Sequence, residues 1–227
     1  NAIIEDKSGE VWVGTARGIA RFIFPKFIVD SKTASERQAQ WLLNQDTSAV
    51  SRYLLRDVNV SAMAVNGANQ KWIGSVNQGL WLLNEDGSAI LKRFTQDNSP
   101  LLSNNIVSIT VNELSGEVFI ATDRGLISLI DLAKSPKEDM GALKIYPNPF
   151  VYDRHERIII EGLSGSTRIR ILSADGLVVQ DLEAKGGRAE WNGRSFQGEL
   201  LASGVYFAVA WDVEAGERGV GKVVIIR

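Results

Sequence analysis

Residue types that could carry out catalysis are scarce in this chain of 227 amino acids. Its one histidine, His155, lies between Arg154 and Glu156 in a predicted turn, and there is no cysteine. A transition-metal site needs several His or Cys ligands, and nucleophilic catalysis needs a nucleophile beside a base. Neither pattern occurs. The sequence therefore predicts a protein that binds rather than turns over a substrate, without a metal or cofactor.

One acidic segment allows two interpretations. Residues 84–88 read Asn-Glu-Asp-Gly-Ser, whose oxygens could ligate calcium. The same residues are typical of a hairpin turn, because Asp86-Gly87 supplies the positive φ that such turns require. We favour the turn.

Two arginines follow a threonine at the same offset, Arg17 after Thr15 and Arg124 after Thr122. Arginine binds phosphate through its planar, multiply donating guanidinium group. We therefore predict that Arg17 and Arg124 contact phosphate groups of an anionic polysaccharide. The alternative is that the hydroxyl groups, including that of Ser75, close hydrogen bonds within their own turns.

Charge and hydropathy exclude several classes of protein. The net charge is −2, with 14 basic and 16 acidic residues in 1–141 and 11 of each in 142–227, so neither part is basic enough for nucleic-acid binding. No apolar run approaches the ~20 residues of a membrane span. The absence of cysteine is compatible with an exported bacterial protein. Because the chain begins at Asn1 within a repeat, we expect it to be a fragment of a longer protein.

A repeat occupies the first part of the chain. Its three units are centred on Trp12, Trp72 and Phe119, and each predicts a strand, a tight turn, a second strand, a Gly turn and a third strand. A marker after the third strand, at Asp46 and Asp97, indicates that the first unit carries two insertions, near 26–37 and 49–57. By this alignment the segment Gln40–Leu43 corresponds to Leu91–Phe94, so we predict an outer strand there. Helix is expected, if anywhere, at Ser31–Arg37.

These units resemble the two-component-regulator propeller repeat. Its pattern is an Asp-x-x-Gly turn, then Trp-Val/Ile-Gly-Thr, then Gly and an aliphatic residue. The first unit matches it fully, whereas the second has Ser75 for Thr and the third has Phe119 for Trp and Ala121 for Gly. Four strands in each unit of ~45 residues are typical of a propeller blade. The predicted fold is therefore all-β, with a partial β-propeller of about three four-stranded blades in residues 1–133.

A polar linker, 134–141, precedes a second predicted domain at 142–227. Seven short strands are expected there, which fits an immunoglobulin-like β-sandwich. They are Leu143–Tyr146, Arg157–Gly162, Thr167–Ser173, Leu177–Leu182, Arg188–Trp191, Gly204–Asp212 and Gly219–Ile226. In Gly204–Asp212, alternation puts Tyr206, Ala208 and Ala210 on one face of the strand.

Four motifs of this second domain occur in the order found in C-terminal sorting domains of type IX secretion substrates, which residues 142–227 resemble. They are Tyr-Pro-Asn-Pro-Phe at the domain's start, Arg170–Gly176, Ala202–Phe207 and Lys222–Arg227. The resemblance implies a sorting role for Tyr146, Pro147, Asn148, Pro149, Gly204, Val205, Tyr206 and Lys222.

Together the two resemblances imply a non-catalytic surface component of the type IX secretion machinery. Such a protein would be exported to the cell surface, bind anionic lipopolysaccharide or another glycan, and cooperate with a sortase-like enzyme. One alternative is an ordinary type IX cargo, an adhesin or hydrolase with its active module upstream. A second is the periplasmic sensor propeller of a hybrid two-component system.

Overall fold

The protein is described here from a computed structural model, and its predicted all-β class is confirmed, with 51% strand and 3% helix. The chain divides into two compact units, 1–131 and 132–227. Val29 is described by its backbone alone. The residues that the structure describes are 1–30, 32–33, 37–44, 51–131, 133, 136, 140–164, 167–184, 186–212 and 216–227.

The first unit contains three antiparallel sheets whose strands pair in chain order. The third sheet has three strands among the described residues, where four were expected. The first sheet contains β1 (Ala2–Glu5), β2 (Val11–Thr15), β3 (Gly18–Phe22) and β4 (Gln40–Trp41); the second contains β5 (Val60–Val65), β6 (Lys71–Ser75), β7 (Leu80–Leu83) and β8 (Ile90–Phe94); the third contains β9 (Ile106–Asn112), β10 (Glu117–Thr122) and β11 (Gly125–Ile130).

The three repeat markers lie at equivalent positions in their sheets. Trp12 pairs with Arg21, Trp72 with Leu82 and Phe119 with Ser128, in each case the third residue after the turn glycine. The second sheet lies between the other two, since every residue of β6 and β7 is buried. Trp12 packs against the second sheet and Trp72 against the third, whereas Phe119 lies on a half-buried face.

The glycine of the repeat is explained by this stacking. A Cβ atom at Gly14 would lie 2.5 Å from Val60 Cγ1, and one at Gly74 would lie 2.5 Å from Ile106 Cγ2. Val60 and Ile106 begin the first strands of the second and third sheets. Ala121 holds the equivalent position in the third sheet, on the same half-buried face as Phe119. Glycine is thus needed where another sheet packs on this position.

The helix lies earlier than expected. Helix α1 spans Pro25–Asp30, within the first predicted insertion, and Pro25 suits the first helical turn because its fixed φ is already helical. Of the segment predicted as helix, Lys32 and Thr33 are not helical, Arg37 is in 3₁₀ conformation, and residues 31 and 34–36 lie outside the described residues.

The outer strand of the first sheet forms where predicted, but its alignment was wrong by one residue. Trp41 pairs with Ala20, as Arg93 pairs with Trp81, so Trp41 corresponds to Arg93 rather than to Lys92. A shift of one residue exchanges the two faces of a strand. Accordingly Trp41 is 48% exposed and Leu42 is buried. The marker at Asp46, from which the alignment was counted, lies outside the described residues.

The second unit has two sheets that enclose one core. All seven predicted strands form, within two residues of their expected ends, and an eighth, β13, was missed because it has only two residues. One sheet is ordered β12 (Lys144–Tyr146), β14 (Ile158–Glu161), β17 (Arg188–Trp191); the other is ordered β13 (Phe150–Val151), β19 (Arg218–Ile226), β18 (Gly204–Asp212), β15 (Thr167–Ser173), β16 (Val178–Glu183).

Alternation along β18 matches the prediction. Tyr206, Ala208 and Ala210 face the core between the two sheets. They pack there with Ile160 and Trp191 of the smaller sheet. Val205 and Phe207 lie on the opposite face of the strand and are partly exposed.

We predict that Gly74→Ala lowers the free energy of unfolding of the first unit by about 1–3 kcal/mol, the usual effect of overpacking a core. The added methyl group has no space beside Ile106. Urea denaturation followed by tryptophan fluorescence measures the change. Gly141→Ala is the matched control, because a Cβ there meets nothing within 4 Å. Equal stability of the two variants would contradict the packing role of Gly74.

Candidate functional site

The hydroxyl groups of Thr15, Ser75 and Thr122 make hydrogen bonds within their own turns. This was the predicted alternative to a role in ligand binding. Thr15 Oγ1 donates to Gly18 O at 2.9 Å and accepts the Arg17 N–H at 3.1 Å. Thr122 makes the same two bonds with Gly125 and Arg124, at 2.9 and 3.2 Å. Ser75 donates to Gly79 O. These hydroxyls therefore set the shape of the turns, and both arginine side chains are presented on the outside.

Arg17 borders a cavity of about 290 Å³ in the first unit. The other lining residues are Trp41, Tyr53, Arg56 and Asp57. The Trp41 and Tyr53 rings lie 6.2 Å apart between centroids with an interplanar angle of 54°. The cavity thus combines two guanidinium groups, one carboxylate and two aromatic rings.

Two chain segments bring these residues together. Residues 51–54 run beside 42–44, with Leu54 N donating to Leu42 O and Leu43 bridging Tyr53, which sets Tyr53 next to Trp41. The chain then turns through left-handed conformations at Leu55 (φ 50°) and Asp57 (φ 66°). These conformations are uncommon for residues other than glycine.

The turn that carries Arg17 is joined to this loop. Gly18 N donates to Val58 O at 2.8 Å, and a Cβ at Gly18 would lie 2.9 Å from Leu55 O. Gly18 itself has φ 103°. Glycine is therefore required here because a side chain would meet Leu55 O and because φ is positive. The bond holds the Arg17 turn against the loop that supplies Arg56.

Arg124 lies elsewhere. It occupies the corresponding turn of the third sheet and does not line the cavity of Arg17. Beside it, a hydrogen bond from Ser103, with further contributions from Asn105 and the Arg124 charge, lowers the pKa of the exposed Asp123 carboxyl. The structure therefore does not bring the two predicted ligand-binding arginines into one cavity.

The remaining chemical candidates are held in local contacts. Residues 84–88 form the turn between β7 and β8, in which Asp86 Oδ1 accepts hydrogen bonds from the N–H and hydroxyl of Ser88. Burial alone would raise the pKa of Asp86, but the hydrogen bonds from Ser88, with the charge of Arg21 and a hydrogen bond from Asn84, lower it below its ordinary value. His155 is half-buried rather than fully solvated, and its Nδ1 accepts the Val151 N–H at 3.0 Å.

A buried ion pair that the sequence did not indicate links the first two sheets. Lys71 Nζ lies 2.7 Å from Asp6 Oδ2, with side-chain exposures of 0% and 2%. The ammonium group also donates to Asn69 O and Glu85 O, and it lies 4.7 Å from the Trp12 ring centroid. Lysine in a strand pattern ordinarily indicates an exposed position, so no local signal could have found it.

The pKa values of Asp6 and Lys71 are shifted by burial and by the interaction between the two side chains. Burial alone would raise the pKa of Asp6, but the hydrogen bond and charge of Lys71, with the N–H groups of Glu10 and Ser8, lower it below its ordinary value. Burial lowers the pKa of Lys71, and Asp6 offsets part of that change. Each charge therefore stabilises the other.

A second buried carboxylate links the second and third sheets. Asp131 Oδ2 accepts the Trp72 indole N–H at 3.0 Å and a hydrogen bond from Asn66 Nδ2 at 2.7 Å. In the first sheet, Asp6 accepts the Trp12 indole N–H at 3.1 Å. Each repeat tryptophan thus donates its indole N–H to a buried carboxylate.

We predict that Asp6→Asn lowers the free energy of unfolding by about 3–5 kcal/mol, because Lys71 would remain charged and buried without its partner. The double variant Asp6→Asn/Lys71→Met should recover part of this loss. Because the pKa of Asp6 is lowered on folding, its stabilisation is fully present above pH 3.8 and disappears as the pH falls through the lowered pKa. Urea denaturation over a pH series tests both points, and an Asp6→Asn protein as stable as the parent would contradict them.

In the second unit, the proline-rich segment is attached to the last strand. The peptide bonds Tyr146–Pro147 and Asn148–Pro149 are cis. Asn148 Nδ2 donates to Lys222 O at 3.0 Å, and Asn148 Oδ1 accepts the Val224 N–H at 3.0 Å. The side chain of Asn148 therefore pairs with β19 as a backbone peptide group would. The strand β13 continues this pairing at Phe150 and Val151.

The other edge of β19 pairs with the Gly204-Val205-Tyr206 motif. Gly204 is opposite Ile225, Val205 opposite Val224 and Tyr206 opposite Val223. Three motifs far apart in sequence thus meet along one strand. The hydroxyl of Tyr206 donates to Ala202 O at 2.9 Å, and burial raises its pKa.

Tyr146 connects this assembly to the smaller sheet. Its hydroxyl donates to Glu161 Oε1 at 2.5 Å. Burial, together with this hydrogen bond, raises the pKa of Tyr146 to about 12. Among the predicted motif residues, the exposed ones are Asn148, Pro149, Val205 and Lys222.

Among the described residues, no helix has the length and apolar character needed to cross a membrane. No protein-family model matches the chain, and no curated protein is similar to it. Solved structures do match. An extracellular domain of the one-component system BT4673 from B. thetaiotaomicron aligns with 100% of this chain and 31% of its own, at 16% identity and a TM-score of 0.36. Dimeric latent PorU from Porphyromonas gingivalis aligns with 48% of this chain and 12% of its own, at 15% identity and a TM-score of 0.31.

A stronger similarity is to PorZ, an essential bacterial surface component of the type-IX secretion system of Porphyromonas gingivalis. The alignment covers 100% of this chain, at 29% identity and a TM-score of 0.69. It covers 30% of the PorZ chain, so this chain spans about a third of the length of its relative. The similarity therefore extends through both units.

Proposed function

We propose that this chain is part of a PorZ-like, non-catalytic surface component of the type IX secretion system. In this proposal the first unit supplies blades of a regulator-type β-propeller, and the second is an immunoglobulin-like sorting domain. The observation that carries the proposal is the similarity to PorZ over the whole chain, at a TM-score of 0.69. A cargo protein would share only its sorting domain, whereas here the similarity also includes the first unit.

The contacts of the second unit support a sorting role for its C-terminal strand. Asn148 and the Gly204–Tyr206 motif hold opposite edges of β19. Lys222 lies on this strand with an exposed side chain. The arrangement presents the last residues of the chain as a structured element that transport machinery could recognise.

The partners we propose are the type IX machinery, a PorU-like sortase and anionic lipopolysaccharide, at the outer surface of the cell. Arg17 and Arg124 support glycan binding, because both side chains are exposed and their backbone N–H groups are bound in turns. Rigid loops on a sheet scaffold are common sites of recognition.

The sorting role predicts that Lys222→Ala reduces surface delivery of the protein in its host by roughly tenfold, the effect of losing one charged contact. The fold should persist, because the Lys222 side chain is exposed and Asn148 binds its backbone oxygen. Deletion of Lys222–Arg227 is a weaker test, since it also removes Val223 and Ile225 from the core. Antibody labelling of intact cells, with periplasmic fractionation, measures delivery.

Val220→Ala is the matched control for Lys222→Ala. Val220 is 54% exposed on the same strand but lies outside the sorting motif. Normal surface delivery of a folded Lys222→Ala protein would contradict a role for this side chain. Normal delivery of the deletion variant in folded form would refute the sorting role altogether.

Binding of anionic lipopolysaccharide is tested by calorimetric titration of the intact protein. The Arg17→Ala/Arg124→Ala double variant should bind roughly tenfold or more weakly, since each arginine supplies charge-assisted hydrogen bonds. Dephosphorylated lipopolysaccharide is the control ligand. Absence of binding by the parent protein would refute the glycan role, and hydrolysis of the glycan would refute the non-catalytic role.

A further inference from the structure

The cavity beside Arg17 has the composition of a sugar-binding site. Aromatic rings provide flat apolar surfaces for the C–H faces of a pyranose, and arginine and carboxylate groups provide donors and acceptors for its polar substituents. Trp41 is 48% exposed, so its ring is accessible. A volume of about 290 Å³ is just below the ~300–1,000 Å³ typical of small-molecule pockets, which suits a single sugar unit.

The charge of the cavity favours an anionic ligand. It is lined by two guanidinium groups and one carboxylate, a net charge of +1. Arg56 Nε lies 3.9 Å from Asp57 Oδ2, too far for a hydrogen bond, and both side chains are mostly exposed. Within the described part of the chain, the Arg17 guanidinium makes no hydrogen bond or ion pair. The donors of both arginines are thus available to phosphate or carboxylate.

The cavity belongs to the first sheet specifically. In the second sheet, Arg93 takes the position of Trp41, and Gly79 N donates to Asn104 O as Gly18 N donates to Val58 O. From Trp41 to Val58 is 17 residues, whereas from Arg93 to Asn104 is 11. The described residues 51–57 of this longer connection supply Tyr53, Arg56 and Asp57. The longer loop of the first sheet thus forms a cavity beside a turn that has only a structural role in the second sheet. This difference indicates a specialised site.

We propose that Arg17, Trp41, Tyr53, Arg56 and Asp57 form a binding site for one sugar unit bearing a phosphate or carboxylate group. The sugar packs on Trp41 and Tyr53, Arg17 and Arg56 bind its anionic group, and Asp57 accepts a hydrogen bond from a hydroxyl. This inference rests on the proposed glycan-binding function and assigns it to Arg17 without Arg124.

The test uses the intact protein with glucose 1-phosphate, glucuronic acid, glucose and inorganic phosphate as probes. Glucose 1-phosphate or glucuronic acid should bind at least tenfold more tightly than glucose, and the tighter of the two identifies the anionic group. Inorganic phosphate should also bind at least tenfold more weakly, because it lacks the ring. If it binds as tightly as the sugar phosphate, the site is a simple anion site and the proposal is overturned.

Variants separate this site from the wider function. Arg56→Ala and Trp41→Ala should each weaken binding of the anionic sugar by roughly tenfold, the size of one lost charged or aromatic contact. Arg17→Ala should do the same, whereas Arg124→Ala, in the corresponding turn of the third sheet, should bind as the parent does. Circular dichroism confirms that each variant is folded.

Titration of the same variants with anionic lipopolysaccharide distinguishes the two proposals. If the parent binds lipopolysaccharide and the Arg56 and Trp41 variants bind it equally well, the cavity is not the site, and the glycan function stands. If the probes bind in the cavity but lipopolysaccharide does not bind the parent, the site stands and the lipopolysaccharide function fails.

Discussion

The first unit depends on how one sheet packs against the next. At each of its two junctions, a buried tryptophan lies beside a glycine that leaves space for the following sheet: Trp12 and Gly14 at one, Trp72 and Gly74 at the other. The indole N–H groups must find acceptors in these interiors, and Asp6 and Asp131 supply them. Packing one sheet on the next therefore requires both a glycine, which allows close approach, and a carboxylate, which accepts the hydrogen bond of the buried indole.

The two junctions satisfy this requirement with different chemistry. At the first, the carboxylate belongs to the turn before Trp12, and Lys71 from the neighbouring sheet neutralises it. At the second, the carboxylate comes from the end of the third sheet, and Asn66 replaces the turn aspartate. In both arrangements the indole N–H has a carboxylate acceptor, and that carboxylate accepts a further hydrogen bond, from Lys71 at the first junction and from Asn66 at the second. This explains how the repeat tolerates divergence in its turn residues.

This shared scaffold also explains where a specialised site can arise. In all three sheets the hydroxyl at the end of the second strand donates to the carbonyl oxygen of the turn glycine, although the turn of the second sheet is one residue longer than the other two. The first sheet differs further in the connection outside this turn, where a longer loop does not disturb the stacked cores. The loop that carries Arg56 is such a connection, and the glycine of the adjacent turn allows it to approach closely.

The sequence by itself determined the class of fold, the repeat and the strands of both units, because these follow from alternation and turn chemistry along short segments. It also indicated which residues of β18 share a face of the strand, but not which of the two faces lies on the core. Local pattern could not show that Lys71 is buried, that Asn148 pairs with a strand 74 residues later, or that Arg17 meets Trp41 and Arg56 at one cavity. The register of Trp41 and the position of α1 were likewise outside its reach, since an insertion removes the repeat spacing on which an alignment depends. These features were decided by the tertiary structure, because each requires segments distant in sequence to be brought within a few ångströms by the stacking of sheets or the closure of a loop.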